Sequence, residues 1–295
     1  MNFVQVTSAN MRIYVNAPIN FHVPTDSRSC FAESLWLSLS HLLHPWALRK
    51  SRSLPASVLR HLTNSTMTYD LEKRIWTDTD FDNMGWHDSH IYKVSLTEDL
   101  ELDIDYILQW NKPDLEGLPF TFWVAPATLV FKRIKNLTFE FVMGFEDAFE
   151  IEDIERPTSE NENQWTIITR QGDFQFTCHS FEQFIRQDPF FEFGQTISYN
   201  KRNGYCLDRT TNQENPIRNR EDILEQREKE LEDYENVKKR HLKNQELAQL
   251  IKARENNEID TKTYLVKKKE INDIIFSYSY FLKGTQFESW GNSTE

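Results

Sequence analysis

The stretch Leu100-Glu-Leu-Asp-Ile-Asp-Tyr-Ile-Leu-Gln-Trp110 alternates along its length. Leu100, Leu102, Ile104, Tyr106, Leu108 and Trp110 share one side; Glu101, Asp103, Asp105 and Gln109 share the other. Successive side chains of a strand point to opposite faces, so the pattern is that of a strand with one dry and one wet side. The acidic side is expected to project into solvent. Carboxylates two residues apart repel one another and favour a cation or a basic surface, which makes Glu101, Asp103 and Asp105 the candidate partner-binding residues.

Strand signals continue in both directions. Ile91 to Leu96 precedes this strand across the loop Thr97-Glu98-Asp99, a hairpin that brings Lys93 toward Glu101 and Asp103. Apolar runs follow at Phe120 to Ala125, Leu129 to Phe131, Leu137 to Val142 and Phe149 to Ile154. Trp165 to Thr169 and Phe174 to Cys178 flank the turn signal Arg170-Gln171-Gly172-Asp173. The acid-rich run Glu146 to Glu155 reads as a loop and an edge strand, where charge blocks unwanted pairing. Ser180 reads as the cap of a short helix from Phe181 to Gln187, stopped by Pro189. The fold class is α+β: an antiparallel β-sandwich or strongly bent sheet followed by a C-terminal αα-hairpin.

The hairpin is the clearest helical signal. Glu221 to Glu255 contains neither Gly nor Pro and is dense in Glu, Lys, Gln and Leu. Its sparse apolar stripe needs a partner. Asn256-Asn257-Glu258 turns the chain, Asp260 caps a second helix, and Gly284 supplies its left-handed terminus. Tyr264, Leu265, Ile271, Ile274, Ile275, Tyr278 and Phe281 are its apolar residues. The division is then 1–66, a poorly structured extension; 67–205, an acidic β domain; 206–218, a linker; 219–284, the helical hairpin; and 285–295, a tail.

The 295 residues carry a formal net charge of −12, and residues 67 to 205 hold twelve basic against 26 acidic side chains. Such a domain repels phosphate backbones and anionic membranes, so neither nucleic acid nor membrane is an expected partner and a basic protein is. Apolar residues at 39% are enough to build a core. Cys30, Cys178 and Cys206 lie far apart without a Cys-x-x-Cys pair, which favours a reducing, cytoplasmic setting over a disulfide framework.

Residues 1 to 66 contain no glycine, ten serines and no sustained period. The run Cys30 to Leu48 is as long as a membrane span, but Glu33, His41, His44 and Pro45 interrupt it. The preferred reading is that Met67 is the natural start, with a disordered arm or an interfacial helix ending at Arg49, Lys50 and Arg52 as alternatives.

Metal-ligand residue types gather only at His87-Asp88-Ser89-His90. On a strand His87 and His90 face opposite ways, and a site would need a third ligand from elsewhere. A metal-dependent hydrolase using His87, Asp88 and His90 is therefore the alternative. In the structural reading Asp88 orients His87 or caps a turn at the strand entrance. There is no Gly-x-Ser-x-Gly elbow and no glycine-rich phosphate loop, and no cofactor is expected. Trp86, Trp110, Trp123 and Trp165 are assigned to the core rather than to a ligand groove.

Two resemblances add to this. Trp86-His-Asp-Ser-His-Ile91, the hairpin, the Leu100 to Trp110 strand, then Ala127-Thr-Leu-Val-Phe131 and Leu137-Thr-Phe-Glu-Phe141 resemble a group of uncharacterised bacterial β-rich proteins with an early His-Asp motif. Related-looking domains occur among the immunity proteins of polymorphic toxin systems. Leu247-Ala-Gln-Leu250, Glu258-Ile-Asp260, Tyr264 and Lys267 are similar to the short two-helix domain at the C-terminus of many bacterial proteins, which implies oligomerisation or docking. In that domain a glycine precedes the isoleucine turn, where Asn256, Asn257 and Glu258 stand here. Together these readings point to a non-enzymatic interaction protein of immunity type, binding a basic partner and self-associating through the hairpin.

Overall fold

The computed structural model describes residues 5–7, 10–14, 19–22, 68–142, 149–156, 164–214 and 220–291, with the backbone alone at 5–7, 10–14, 19–22, 141 and 142. The chain divides into two units, residues 1–109 with 122–215, and residues 110–121 with 216–295.

Thirteen strands among the described residues make one sheet in the first unit. They are β1 (Gln5–Thr7), β2 (Asn10–Tyr14), β3 (Ile19–His22), β4 (Ile75–Thr77), β5 (Ser89–Leu96), β6 (Leu100–Asn111) and β7 (Thr121–Lys132). They continue with β8 (Lys135–Val142), β9 (Phe149–Glu155), β10 (Gln164–Thr169), β11 (Gly172–Thr177), β12 (Ser180–Ile185) and β13 (Phe190–Glu192). The order is β1-β2-β8-β11-β10-β9-β5-β6-β7-β12-β4, with β3 on β5 and β13 on β7. Phe131 of β7 meets Phe176 of β11 at 4.9 Å between ring centroids although four strands separate them along that order. The sheet therefore curls around its own core without closing, the strongly bent form of the expected α+β fold.

Inside the curl lie Leu100, Leu102 and Ile104, all at 0% exposure, with Trp165, Phe176 and Phe181. Full burial of each such aliphatic side chain stabilises by roughly 1.5–3 kcal/mol. The register of β5 on β6 shifts between Ile91 and Lys93. That irregularity lets Ile91 and Val94, three residues apart, both reach the core while Tyr92 turns to the opposite side. A short 3₁₀ turn at Asp78–Asn83 sets Phe81 against Trp86 and Trp165. Gln183, buried within this region, accepts a 2.8 Å hydrogen bond from the Trp86 indole.

The structure corrects several expectations. Ser180–Ile185 is strand β12, not a helix, because it has β7 on one side and β4 on the other to pair with. The acid-rich β9 is no edge: β10 and β5 flank it, and Glu146 and Asp147 lie outside the described residues. Two expected strands are one, β7, running through Pro126. Proline lacks a donor, and Pro126 falls in the gap between β13, which pairs residues 122–124, and β12, which pairs 127–132. Three short strands come from the stretch expected to be poorly structured: β2 lies on β8 and β3 on β5, while residues 23–67, with the Cys30 to Leu48 run, lie outside the described residues.

The second unit holds α1 (Glu221–Glu255) and α2 (Thr261–Leu282), packed as the expected hairpin. Asp260 caps α2, its carboxylate accepting from the amides of Lys262 and Thr263. Asn257 at φ 59° and Gly284 at φ 77° take the left-handed conformations that the turn and the helix end require. Arg240 of α1, 1% exposed, donates to the carbonyls of Phe287, Glu288 and Trp290 and so fixes the segment after α2. No helix among the described residues is long and apolar enough to cross a membrane.

Candidate functional site

The side of β6 opposite the core carries the row that was expected to meet solvent. Asp103 and Asp105 are instead at 0% exposure. Asp103 Oδ1 accepts from Arg186 Nη2 at 2.6 Å and from Arg202 Nη2, and its Oδ2 accepts from the Cys206 amide at 3.1 Å. Asp105 Oδ2 accepts from the Tyr92 phenol and the Ile197 amide, each at 2.7 Å, and its Oδ1 faces Arg202 Nη1 at 3.5 Å. The basic complement of the row is thus supplied by the chain itself, from β12's end and from residues 197–209. Glu101 is included, since Arg209 binds it at 2.5 Å and Asp99 at 2.7 Å.

Residues 206–214 of the expected linker, with 200–205 before them, form a strap over this face. Arg202 stacks 3.9 Å from the centroid of Tyr92, and Tyr205 lies on the same ring at 5.1 Å and 13°. Burial alone would lower the pKa of the Arg202 guanidinium; Asp105 and Asp103 outweigh it and raise the pKa, keeping the charge in place. Burial, with Asp105 beside it, holds the Tyr92 phenol well above its ordinary range, so it serves as a neutral donor. Charges removed from water in this way are tolerated only when paired and hydrogen-bonded.

At the entrance to β5 the His-Asp motif is pulled apart. Asp88 sits at φ 63°, a left-handed position that aspartate tolerates. Its Oδ2 accepts from Gln195 Nε2, between β13 and the strap, at 2.6 Å. Its Oδ1 lies 3.5 Å from His87 Nε2 and 3.9 Å from Arg170, which binds Glu150 of β9 at 2.9 Å. His87 is exposed, with Nδ1 3.1 Å from the Glu152 carbonyl. His90 turns away beneath the strap and stacks near Tyr92 at 6.5 Å, where burial lowers its pKa and keeps it neutral. Burial and a hydrogen bond to Asp88 push the Glu150 carboxyl up to about 7. Glu150 therefore holds its proton close to neutrality, beside Asp88.

Sequence reasoning missed Glu150, Arg170 and Gln195, which arrive from β9, the β10–β11 turn and the segment after β13. The visible signal was the turn at Arg170, with nothing to register it on Asp88. His87, Asp88 and His90 do not converge, and among the described residues no group of three His, Cys, Asp or Glu side chains is placed to hold a metal ion. An open depression of about 670 Å³ at β9–β11, lined by Glu155, Arg156, Gln164, Thr166, Asp173 and Gln175, contains none of these residues. Trp86 and Trp165 are in the core as expected, whereas Trp110 is 42% exposed.

A different kind of surface lies on α2. Ile271 and Leu282 are buried, but Leu265, Ile274, Phe276, Tyr280 and Phe281 are exposed, the last three at 73%, 69% and 61%. The last two turns are apolar on the outward side as well as the inward one, beyond what packing on α1 uses. Comparison with known proteins returned no match to a family model, a curated protein or a solved structure.

Proposed function

We propose that the chain is a non-catalytic interaction protein whose docking surface is the outward side of α2. The observation that carries this reading is the exposure of Phe276, Tyr280 and Phe281 within two turns of one helix. Contiguous exposed aromatics are costly to keep in water and mark contact surfaces, where such residues supply most of the binding energy. An immunity-type role toward a basic partner is the narrower form of the proposal, supported by the net charge of −12 and by the resemblance around Trp86 to Phe141.

A photo-crosslinking residue placed at Phe281 tests it. A discrete protein adduct from that position, absent when the probe replaces exposed Glu152 of β9, is the expected result. Adducts from Glu152 alone, or hydrolytic turnover lost in His87→Ala, would overturn it.

A further inference from the structure

The outward side of α2 is a seam with an order. Lys262, Val266, Lys269, Asp273, Phe276 and Tyr280 follow one another at spacings of four, three, four, three and four, and all six are exposed. Alternating three and four is the heptad spacing that lets two helices meet along one line. From its N-terminal end the seam reads basic, aliphatic, basic, acidic, aromatic, aromatic.

Reversed and laid on itself, this order is self-complementary. An antiparallel copy centred level with Ile271 sets Lys269 opposite Asp273, Val266 opposite Phe276 and Lys262 opposite Tyr280, and all three pairings share that centre. Each pairing occurs twice about a two-fold axis. The outer layers join an ammonium to an aromatic face, the next are apolar, and the central ones are ion pairs. Parallel pairing in register would set Lys269 on Lys269 and Asp273 on Asp273, which like charge opposes. Resting on the reading of α2 as a docking surface, we propose that the partner is a second copy of this chain, joined by antiparallel pairing of the two α2 helices. The interface is isologous, and its polar centre fixes direction and register.

Sedimentation equilibrium on the full chain over a range of concentrations tests the proposal, with circular dichroism to show that each variant is folded. Wild type is expected to be a dimer. Lys269→Asp and Asp273→Lys, each placing like charges opposite one another twice, are expected to weaken it about tenfold or more. The double variant Lys269→Asp with Asp273→Lys restores opposite charges at both positions and is expected to recover the dimer. A wild type that stays monomeric overturns the proposal, and so does a dimer that either reversal weakens and the double variant does not recover. A monomer that still yields a crosslinked adduct of another protein from Phe281 overturns the second copy alone and leaves the docking surface standing.

Discussion

The outer row of β6 and the outer seam of α2 are both regular, and they end in opposite environments. Asp103 and Asp105 carry charge and are withdrawn from water; Phe276 and Tyr280 are aromatic and stand in it. Periodicity assigns residues to a face in both cases. What covers that face is decided by segments far away in sequence: Arg186 and Arg202 reach Asp103 from 83 and 99 positions on. The α2 seam has no such segment among the described residues of its own unit. A charged row can therefore be an interior and an aromatic stripe a surface, according to what the rest of the chain delivers.

The largest expected effect tests the buried half of this contrast. Arg202→Met leaves Asp103 and Asp105 short of a cation in a dry site and is expected to cost about 3–5 kcal/mol in urea unfolding. Arg209→Met removes an equal charge from the exposed end of the same row and is expected to cost under about 1 kcal/mol. Equal losses would break the distinction between the two ends.

The raised Glu150 carboxyl gives an intermediate effect. A carboxyl whose pKa rises from 4.5 to about 7 on folding binds its proton more tightly in the folded state. Its contribution is complete below pH 4.5 and is lost as the pH climbs to about 7. Buried neutral His90 works in the opposite sense, its contribution being lost as the pH falls, so the readout is a difference between proteins. Melting temperatures of wild type and Glu150→Gln across this window should show the variant losing less as pH rises. Parallel profiles would mean that Glu150 titrates as an ordinary surface acid.

The smallest effect concerns the helix that bears the seam. Asp260→Ala removes the side-chain cap on two amides and is expected to weaken the protection of the first turn of α2 from hydrogen exchange. Unchanged protection would show that packing on α1 alone sets the start of α2.

Much of the framework was legible because it depends on local rules. The alternation of Leu100 to Trp110, the Gly-free run that became α1, the Asn257 turn and the Asp260 cap each carry their cause within a few residues. The Phe181 to Gln187 segment misled because Phe181 and Phe184 sit three apart, a helical interval, whereas their environment is set by pairing with β7 and β4. The strap misled because its Asn, Gly and Thr content is that of a linker, while Arg202 does work that composition does not reveal. The Asp88 and Glu150 pair was out of reach, since strand order brings β9 beside β5 and so closes the 61 residues between them.

The strap also sets a timetable. Asp103 leaves the ribosome 99 residues before Arg202. At about 5–20 residues per second, the acidic row waits roughly 5–20 s for its cation. Until then the pairing that neutralises Asp103 and Asp105 cannot form.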